Sequence, residues 1–304
     1  MELLIGTWDK AWGHTFIARG FGKLYALRSL GEGSALCVFD EQARPLGEYP
    51  TPGAHSCHIT LLGKQAVVAD YTSGTLSIYP LGPDGIPSGA PELLCFEGHG
   101  PHPVRQTSPH IHSSWISTDG LSLVVADLGC DFLYRFSIRD GKVDLSGVER
   151  FAMPEGCGPR HCCFGDGVLY VSTELSDEVL VLSWPEMELL QRVNVNPELP
   201  QGGGHLLLSP DRRFLYASSR LKNDGVAIFS IEEGGLLKSD GYCPTGRHPR
   251  HFCLTPSGDA LLVACRDDDV VELYNRDSSD GSLTPVGAEV SIENPVYVDV
   301  YEKD

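Results

Sequence analysis

The hexapeptides LVVADL (residues 123–128), LYVSTE (169–174), LYASSR (215–220) and LLVACR (261–266) recur along the chain with a constant spacing of 46 residues. An earlier copy, AVVADY (66–71), precedes them at a longer interval. Each copy is a short apolar run rich in Leu, Val, Tyr and Ala that ends at a marker position. A period of roughly 40–50 residues made of short strands is typical of a propeller or a solenoid.

The residues around each hexapeptide repeat as well. A short apolar strand such as PRHFCL (249–254) comes first, and a turn such as TPSG (255–258) leads from it into the hexapeptide. A third, alternating strand such as VVELY (270–274) follows, and then a less regular outer strand. Four short strands per repeat are the blade pattern of a β-propeller. The 3.6-residue periodicity of helical repeats is almost absent.

Counting the repeats predicts how the propeller closes. Two unmatched strands remain at the termini, LLI (3–5) and VYVDV (296–300), and pairing them in one shared blade would remove two free sheet edges. The sequence therefore predicts an all-β, seven-bladed β-propeller that forms a single domain over residues 1–304. We expect the closing blade to be incomplete, because residues 7–13 look too few for its outer strands. The six full repeats start near Thr15, Ser56, Ser113, His161, Leu206 and His251.

Composition excludes several classes of partner. The chain has 23 Lys and Arg against 41 Asp and Glu, a net charge of −18, which disfavours nucleic acid and anionic membranes. The first residues, MELL, show neither a basic stretch nor a long apolar run, so we expect a cytoplasmic protein without a secretory signal or membrane span. The ten cysteines include no C-x-x-C pair and are interpreted as free thiols. The oligomeric state is not predicted.

Strand direction predicts where a site would form. In an antiparallel blade the innermost strand starts, and the second strand ends, on the same face of the disc. Residues at these two positions should therefore meet around one mouth of the central channel. Arginine presents a planar fork matched to carboxylate and phosphate oxygens, so the predicted guest is an anionic small molecule. The starting positions are His55, His112, Arg160, Gly204 and Arg250, and the ending positions are Tyr71, Leu128, Glu174, Arg220 and Arg266.

Several motifs in register with this period carry a family resemblance. They are PHIH (109–112), GPRH (158–161), STEL (172–175), SSR (218–220) and HPRHF (248–252). With these motifs the chain resembles the β-propeller lactonases, a family that contains the cycloisomerase-type 6-phosphogluconolactonases and the fungal 3-carboxy-cis,cis-muconate cyclase. The resemblance implies a seven-bladed propeller that acts on lactones without an obligatory metal or cofactor.

The resemblance also implies the site. The family's catalytic set of one His, one Glu and arginines falls here on His112, Glu174, Arg160 and Arg220. Two departures leave the substrate open, namely Gly203-Gly204-His205 where the family has an acidic residue, and Ala264-Cys265-Arg266 in place of Ala-Asn-Gln. The residues expected to bind substrate are Arg250, His110, His55, Arg266 and Tyr71.

This set of residues suits hydrolysis of a sugar lactone of the 6-phosphogluconolactone type. A histidine can take a proton from water, and arginines can hold the anionic group and stabilise the developing oxyanion. Whether His112 or Glu174 is the base is left open. The alternatives are a cyclase-like cycloisomerase, which would use the same groups for proton delivery, and a non-enzymatic platform for protein interactions.

Other chemistries are less well supported by the sequence. The histidine-rich run at His99, His102, His110 and His112 has no carboxylate or thiol at ligand spacing, so no metal site is predicted. The acidic run at residues 267–269 is interpreted as a solvated turn. The motif G-x-S-x-G is absent, which disfavours a serine hydrolase.

Overall fold

The computed structural model describes residues 2–8, 13–31, 33–196 and 202–301. Within these residues the regular structure consists of β-strands and two short 3₁₀-helices, Glu233–Gly235 and Arg266–Asp268. The all-β class expected from the sequence is therefore confirmed. Two compact units are distinguished: a C-terminal unit, which contains the described residues of Met1–Trp8 and Arg160–Asp304, and an N-terminal unit, which contains those of Asp9–Pro159.

The strands follow the repeat that the sequence predicts. In chain order they are β1 (Glu2–Thr7), β2 (His14–Gly20), β3 (Lys23–Leu30), β4 (Gly33–Asp40), β5 (Pro45–Pro50), β6 (Ser56–Leu62), β7 (Gln65–Asp70), β8 (Thr75–Pro80), β9 (Glu92–Cys95), β10 (Ile111–Ile116), β11 (Ser122–Asp127), β12 (Phe132–Arg139), β13 (Lys142–Val143), β14 (Glu149–Ala152), β15 (Pro159–Phe164), β16 (Val168–Thr173), β17 (Glu178–Ser183), β18 (Leu189–Asn194), β19 (Gly203–Leu208), β20 (Phe214–Ser219), β21 (Gly225–Ile231), β22 (Leu237–Pro244), β23 (Pro249–Leu254), β24 (Ala260–Cys265), β25 (Val270–Arg276), β26 (Leu283–Ser291) and β27 (Pro295–Tyr301).

Consecutive strands pair into antiparallel sheets. The N-terminal unit contains the sheets β2-β3-β4-β5 and β6-β7-β8-β9. Its third sheet has the order β10-β11-β12, and both β13 and β14 pair with β12. The C-terminal unit contains β15-β16-β17-β18, β19-β20-β21-β22 and β23-β24-β25-β26. Each of these six sheets corresponds to one of the six full repeats.

The chain termini pair as expected. Strand β1 lies antiparallel to β27 in a two-stranded sheet, with Leu3 opposite Val300 and Ile5 opposite Val298. Val298 is fully buried and packs with Cys253 and Ala264 of the β23–β26 sheet. The expectation that this blade lacks outer strands concerns residues 7–13, of which 9–12 lie outside the described residues.

The repeated hexapeptides form second strands that are buried on both faces. All six residues of β16 and of β20 are buried. Successive side chains of a strand point to opposite faces of its sheet. Accordingly, Leu215 and Ala217 of β20 share a core with β16, whereas Phe214 and Tyr216 share the next core with β24. This double burial explains why the hexapeptides read as continuous apolar runs.

A β-bulge recurs at the start of the innermost strand. The pairing register shifts between Ile111 and Ser113 in β10, and between Pro249 and His251 in β23. The shifts therefore fall at His112 and at Arg250, two of the predicted starting positions. A bulge leaves one residue outside the regular ladder and changes the direction of its side chain, which is a common arrangement beside active sites.

Candidate active site

A buried glutamate joins two buried arginines in the C-terminal unit. Arg160 lies in β15, Glu174 directly follows β16, and Arg220 directly follows β20. Oε2 of Glu174 accepts from Nε of Arg160 at 2.9 Å and lies 2.9 Å from Nη2 of Arg220. All three side chains are buried, and Arg160 is only 2% exposed. Three of the four residues predicted to be catalytic are thus in direct contact.

Burial and mutual repulsion act on the charge of this cluster. Burial lowers the pKa of Arg160 to about 9, the nearby Arg220 lowers it as well, and the carboxylate of Glu174 opposes both. A value near 9 still leaves the guanidinium protonated at neutral pH. Two guanidinium groups therefore share one carboxylate, and positive charge is in excess.

Arg220 is also held by the backbone of the loop before β19. Its Nε donates to the carbonyl of Gly202 at 3.0 Å, and its Nη2 donates to that of Gly203 at 2.9 Å. The amides of both glycines in turn donate to the carbonyl of Glu174. Gly202 has a φ of +82°, and a Cβ there would lie 2.6 Å from the carbonyl oxygen of Arg220. Glycine is therefore required where the loop passes so close to the arginine.

A histidine that the sequence analysis did not place in the site completes the contacts of Arg220. Nη1 of Arg220 lies 3.3 Å from Nε2 of His248, which is 6% exposed. The other ring nitrogen, Nδ1, lies 3.6 Å from Oδ2 of Asp267. Burial lowers the pKa of His248 to about 2, and the surrounding arginines add to the shift, Arg220 most of all. The imidazole is therefore neutral at physiological pH.

The two remaining arginines of the predicted set lie over one aromatic ring. The guanidinium carbon of Arg250 is 5.1 Å from the centre of the Trp8 ring, and that of Arg266 is 5.8 Å away. Arg266 also pairs with Asp267 through an Nε–Oδ1 distance of 2.6 Å. Asp267 lies beside both Arg266 and His248. It therefore connects Arg266, through His248, to the buried cluster around Arg220. Sequence reasoning missed Trp8.

The N-terminal unit gathers its predicted residues around Tyr71. The ring of His110 stacks on that of Tyr71 with 4.5 Å between centroids, and His112 meets the same ring edge-on at 5.7 Å. Nη2 of Arg105, which the sequence analysis did not select, donates to the hydroxyl of Tyr71 at 3.0 Å. His112 is 4% exposed. By contrast, His55 is exposed, and its Nδ1 lies 2.9 Å from the hydroxyl of Thr72.

A second group of histidines lies beside the arginines without joining them. Nδ1 of His161 is 2.8 Å from Nδ1 of His205, and the ring of His205 stacks on that of His251 at 4.1 Å. His251 also contacts the ring of Tyr297 at 4.5 Å. Burial lowers the pKa of His251 to about 3, and Arg160 adds to the shift. We call His161, His205 and His251 the histidine row.

The arrangement in the C-terminal unit is suited to binding an anion. The set contains four arginines and two carboxylates, so it carries an excess of positive charge. The arginines are Arg160, Arg220, Arg250 and Arg266, and the carboxylates are those of Glu174 and Asp267. Among the described residues there is no group of three or more His, Cys, Asp or Glu side chains arranged to hold a metal ion. The absence of a metal and of a cofactor stays a prediction.

No described helix has the length and apolar character needed to cross a membrane.

Comparison with known proteins identifies the class. Residues 15–300 match the family described as "Lactonase, 7-bladed beta-propeller". The chain is 30% identical to the 6-phosphogluconolactonase of Bacillus subtilis (strain 168) over 259 residues, which cover 81% of this chain and 73% of the relative. It is 31% identical to the 6-phosphogluconolactonase of Formosa agariphila over 256 residues, which cover 79% and 72%.

A solved structure agrees with these sequence relatives. A protein from Bacteroides fragilis NCTC 9343, provisionally assigned as a 6-phosphogluconolactonase, superposes with a TM-score of 0.90 at 30% identity, covering 99% of this chain and 97% of the other. The fold is therefore a β-propeller, and the protein belongs to a class of propeller enzymes. The chain is a member of the β-propeller lactonase family and is a lactonase. The family resemblance found in the sequence motifs is confirmed.

Proposed function

We propose that this lactonase hydrolyses a sugar lactone that carries a phosphate or carboxylate group, of the 6-phosphogluconolactone type. Sugar-lactone hydrolysis is supported by the relatives that bear the name 6-phosphogluconolactonase. The observation that supports an anionic substrate is the excess of arginines over carboxylates in the C-terminal unit, where Arg250 and Arg266 lie over the Trp8 ring in addition to the buried pair beside Glu174. A buried excess of positive charge is costly unless an anion of the substrate offsets it.

In the proposed reaction, water adds to the lactone carbonyl carbon, the ring carbon–oxygen bond breaks, and a hydroxy acid is released. The base takes one proton from the water and then delivers it to the alkoxide leaving group. Oε2 of Glu174 is occupied by its contacts with the guanidinium groups of Arg160 and Arg220. We therefore propose His112 as the base and Glu174 as the group that holds the arginines.

The arginines divide into two roles in this proposal. Arg160 and Arg220 stabilise the oxyanion that develops on the carbonyl oxygen, where fixed charged donors are most effective. Arg250 and Arg266 bind the anionic substituent, with His110, His55 and Tyr71 as further contacts. A cyclisation that delivers a proton to an alkene would use the same groups, so the two reactions must be separated by assay.

We also propose that the β1–β27 sheet is the seventh blade. The pairing of β1 with β27 and the family description support this count. The single domain over residues 1–304 and the cytoplasmic location stay predictions.

The test is hydrolysis of 6-phosphogluconolactone compared with gluconolactone, with spontaneous opening subtracted at each pH. We expect a higher kcat/KM for the phosphorylated lactone, and we expect His112→Ala to lose roughly 10²–10⁴-fold in kcat with little change in KM. His99→Ala is the control, because His99 is exposed and lies outside the predicted site. Equal rates for the two lactones would contradict the anionic substrate, and unchanged turnover in His112→Ala would contradict the assigned base.

A further inference from the structure

We propose that His248 is a positioning residue, whose neutral imidazole accepts a hydrogen bond from Arg220 through Nε2 and so fixes the direction of that guanidinium. The carboxylate of Asp267 lies 3.6 Å from Nδ1 of the same ring, and its negative charge favours the tautomer with the proton on that nitrogen. The inference rests on the proposed function in that Arg220 must act on the substrate. It adds His248 and Asp267 to the residues on which the reaction depends.

The contacts of Arg220 show why a neutral acceptor is needed. A guanidinium has five N–H donors in a fixed plane, and each of them must find an acceptor when the group is buried. Here the donors are directed to Glu174, to the carbonyls of Gly202 and Gly203, and to His248. Only one of these acceptors is charged. A second carboxylate in place of His248 would cancel the charge that is meant to bind an anion.

The surroundings of His248 allow only the neutral ring. A protonated imidazole has two N–H donors and no acceptor, so its Nε2 would face the donor Nη1 of Arg220. The 3.3 Å contact therefore requires an unprotonated Nε2. Burial and the neighbouring arginines lower the pKa of His248 in agreement with this geometry. The charged groups around the histidine are Arg160, Arg220, Arg250, Arg266, Asp267 and, at its backbone amide, Asp224.

The position of Asp267 selects the tautomer. With Nε2 accepting, the single ring proton must lie on Nδ1, and the carboxylate oxygen of Asp267 is 3.6 Å from that nitrogen. This distance is longer than a hydrogen bond, but it places a negative charge beside the N–H group. Asp267 also binds Nε of Arg266 at 2.6 Å. The carboxylate is thereby held in place by a second partner.

The backbone offers a matched pair of variants. His248 has a φ of +60°, in the left-handed region, where Asn is tolerated better than most other residues. His248→Asn keeps the conformation, but its amide reaches only as far as the position of Nδ1. His248→Gln places a neutral amide oxygen near the position of Nε2, whereas His248→Ala removes the acceptor. Asp140→Ala is the control for backbone strain, because Asp140 has a φ of +51° in a turn of the N-terminal unit.

The first experiment needs no substrate. We expect ¹⁵N spectra of the imidazole in the free protein to show the His248 proton on Nδ1, an unprotonated Nε2, and no titration between about pH 5 and 8. The side-chain resonances of Arg220 should be shifted in His248→Ala and nearly restored in His248→Gln. A proton on Nε2, a titration in this range, or unchanged Arg220 resonances in His248→Ala would overturn the proposal.

The second experiment uses turnover of 6-phosphogluconolactone. His248→Ala should lower kcat/KM by roughly 10- to 100-fold, as expected when a guanidinium loses a buried acceptor, and His248→Gln should recover most of that loss. Equal activity of the Ala variant and the wild type would overturn the positioning role, and so would a Gln variant as poor as Ala. If the wild type hydrolyses none of the lactones, the proposed function fails, while the spectra still decide whether His248 holds Arg220.

Discussion

Arg160 and His161 are neighbours in β15, and Arg250 and His251 are neighbours in β23, yet the members of each pair lie in different surroundings. Arg160 contacts Glu174 and stays charged, and Arg250 lies over the ring of Trp8. The histidines stack with His205 in a row whose member His251 is neutral. Side-chain direction changes from one residue of a strand to the next, and the bulge at Arg250 alters it further. A single step along the chain therefore separates a charged site from an uncharged packing layer.

The difference shows that the ordinary pKa of a group, together with burial and partners, decides whether it stays charged. Arg160 and His251 are both buried, and burial lowers the pKa of each. Arg160 starts from an ordinary pKa of 12.5, has a carboxylate 2.9 Å away and stays charged, whereas His251 starts from 6.5, has aromatic rings beside it and is neutral. A buried charged cluster is seldom more stable than an apolar core of the same volume. Its presence beside a well-packed layer is therefore better explained by function than by stability.

The largest expected effect comes from removing the carboxylate of the charged cluster. Glu174→Leu leaves Arg160 and Arg220 buried without their shared counter-charge, and we expect the free energy of unfolding to fall by about 3–5 kcal/mol. Glu178→Leu is the matched control. Glu178 is equally buried at 8%, but the side chain of its partner Arg192 is 48% exposed and can turn to water, so the loss should be under about 1 kcal/mol. Chemical denaturation measures both values, and equal losses would contradict this account.

Replacing Glu174 by the nearly isosteric Gln tests the charge of this side chain separately from its shape. Glu174→Gln keeps an acceptor for one arginine but removes the negative charge, so the excess of positive charge increases. We expect kcat on 6-phosphogluconolactone to fall roughly 10²-fold because the arginines lose their alignment, whereas 6-phosphogluconate should bind at least as tightly as before. Steady-state kinetics and calorimetry measure the two quantities, with Glu178→Gln as the control. Weaker binding in Glu174→Gln would contradict an anion site.

The sequence predicted the repeat and the contacts that follow directly from it. Positions 46 residues apart occupy equivalent places in successive sheets, so the period alone assigns Glu174 and Arg220 to the ends of second strands. The pairing of β1 with β27 was predicted for the same reason, because each terminal strand had no partner in its own repeat.

The contacts that were missed depend on features that no repeat encodes. Trp8 reaches Arg250 only because β1 pairs with β27 at the other end of the chain. His248 reaches Arg220 because its backbone takes a positive φ just before β23. The carbonyls of Gly202 and Gly203 belong to the backbone, so the identity of the side chains does not predict that they bind Arg220. The sequence did present Gly203-Gly204 as a departure from the family pattern, but it did not indicate that the backbone itself binds an arginine.

The histidine row should be revealed by the pH dependence of stability. His251 has a pKa of about 3 in the folded protein against an ordinary value near 6.5, so its contribution is fully present above pH 6.5 and is lost as the pH falls towards 3. For each histidine shifted in this way, the free energy of unfolding falls by up to about 1.4 kcal/mol for every unit that the pH drops in this range. His251→Phe keeps the stack and removes the proton site, so the free energy of unfolding should fall less steeply with acid than in the wild type.

The control for this comparison is Tyr297→Phe, which alters the same stack without removing a group that titrates in acid. The buried carboxyl of Asp70 has the opposite effect on the pH dependence of stability. Burial raises its pKa from 3.8 to about 6, so its contribution to the free energy of unfolding is lost as the pH rises through that range. The difference between variant and wild type therefore isolates His251. Identical slopes in His251→Phe and the wild type would show that the row does not hold this histidine neutral.

The smallest expected effect lies at the exposed edge of the arginine set. Trp8 is 44% exposed, and an exposed cation–π contact contributes about 0.5–1 kcal/mol. Trp8→Leu should therefore weaken binding of 6-phosphogluconate by roughly 2- to 5-fold and leave kcat unchanged, because Arg250 and Arg266 lose the ring that holds them but keep their charges. Arg213→Gln is the matched control, since Arg213 lies 5.3 Å from the Phe214 ring outside the arginine set. Calorimetry at two salt concentrations should show the same salt dependence in Trp8→Leu and in the wild type. A loss of kcat, or a loss of affinity as large as that of Arg250→Gln, would mean that Trp8 contacts the substrate itself.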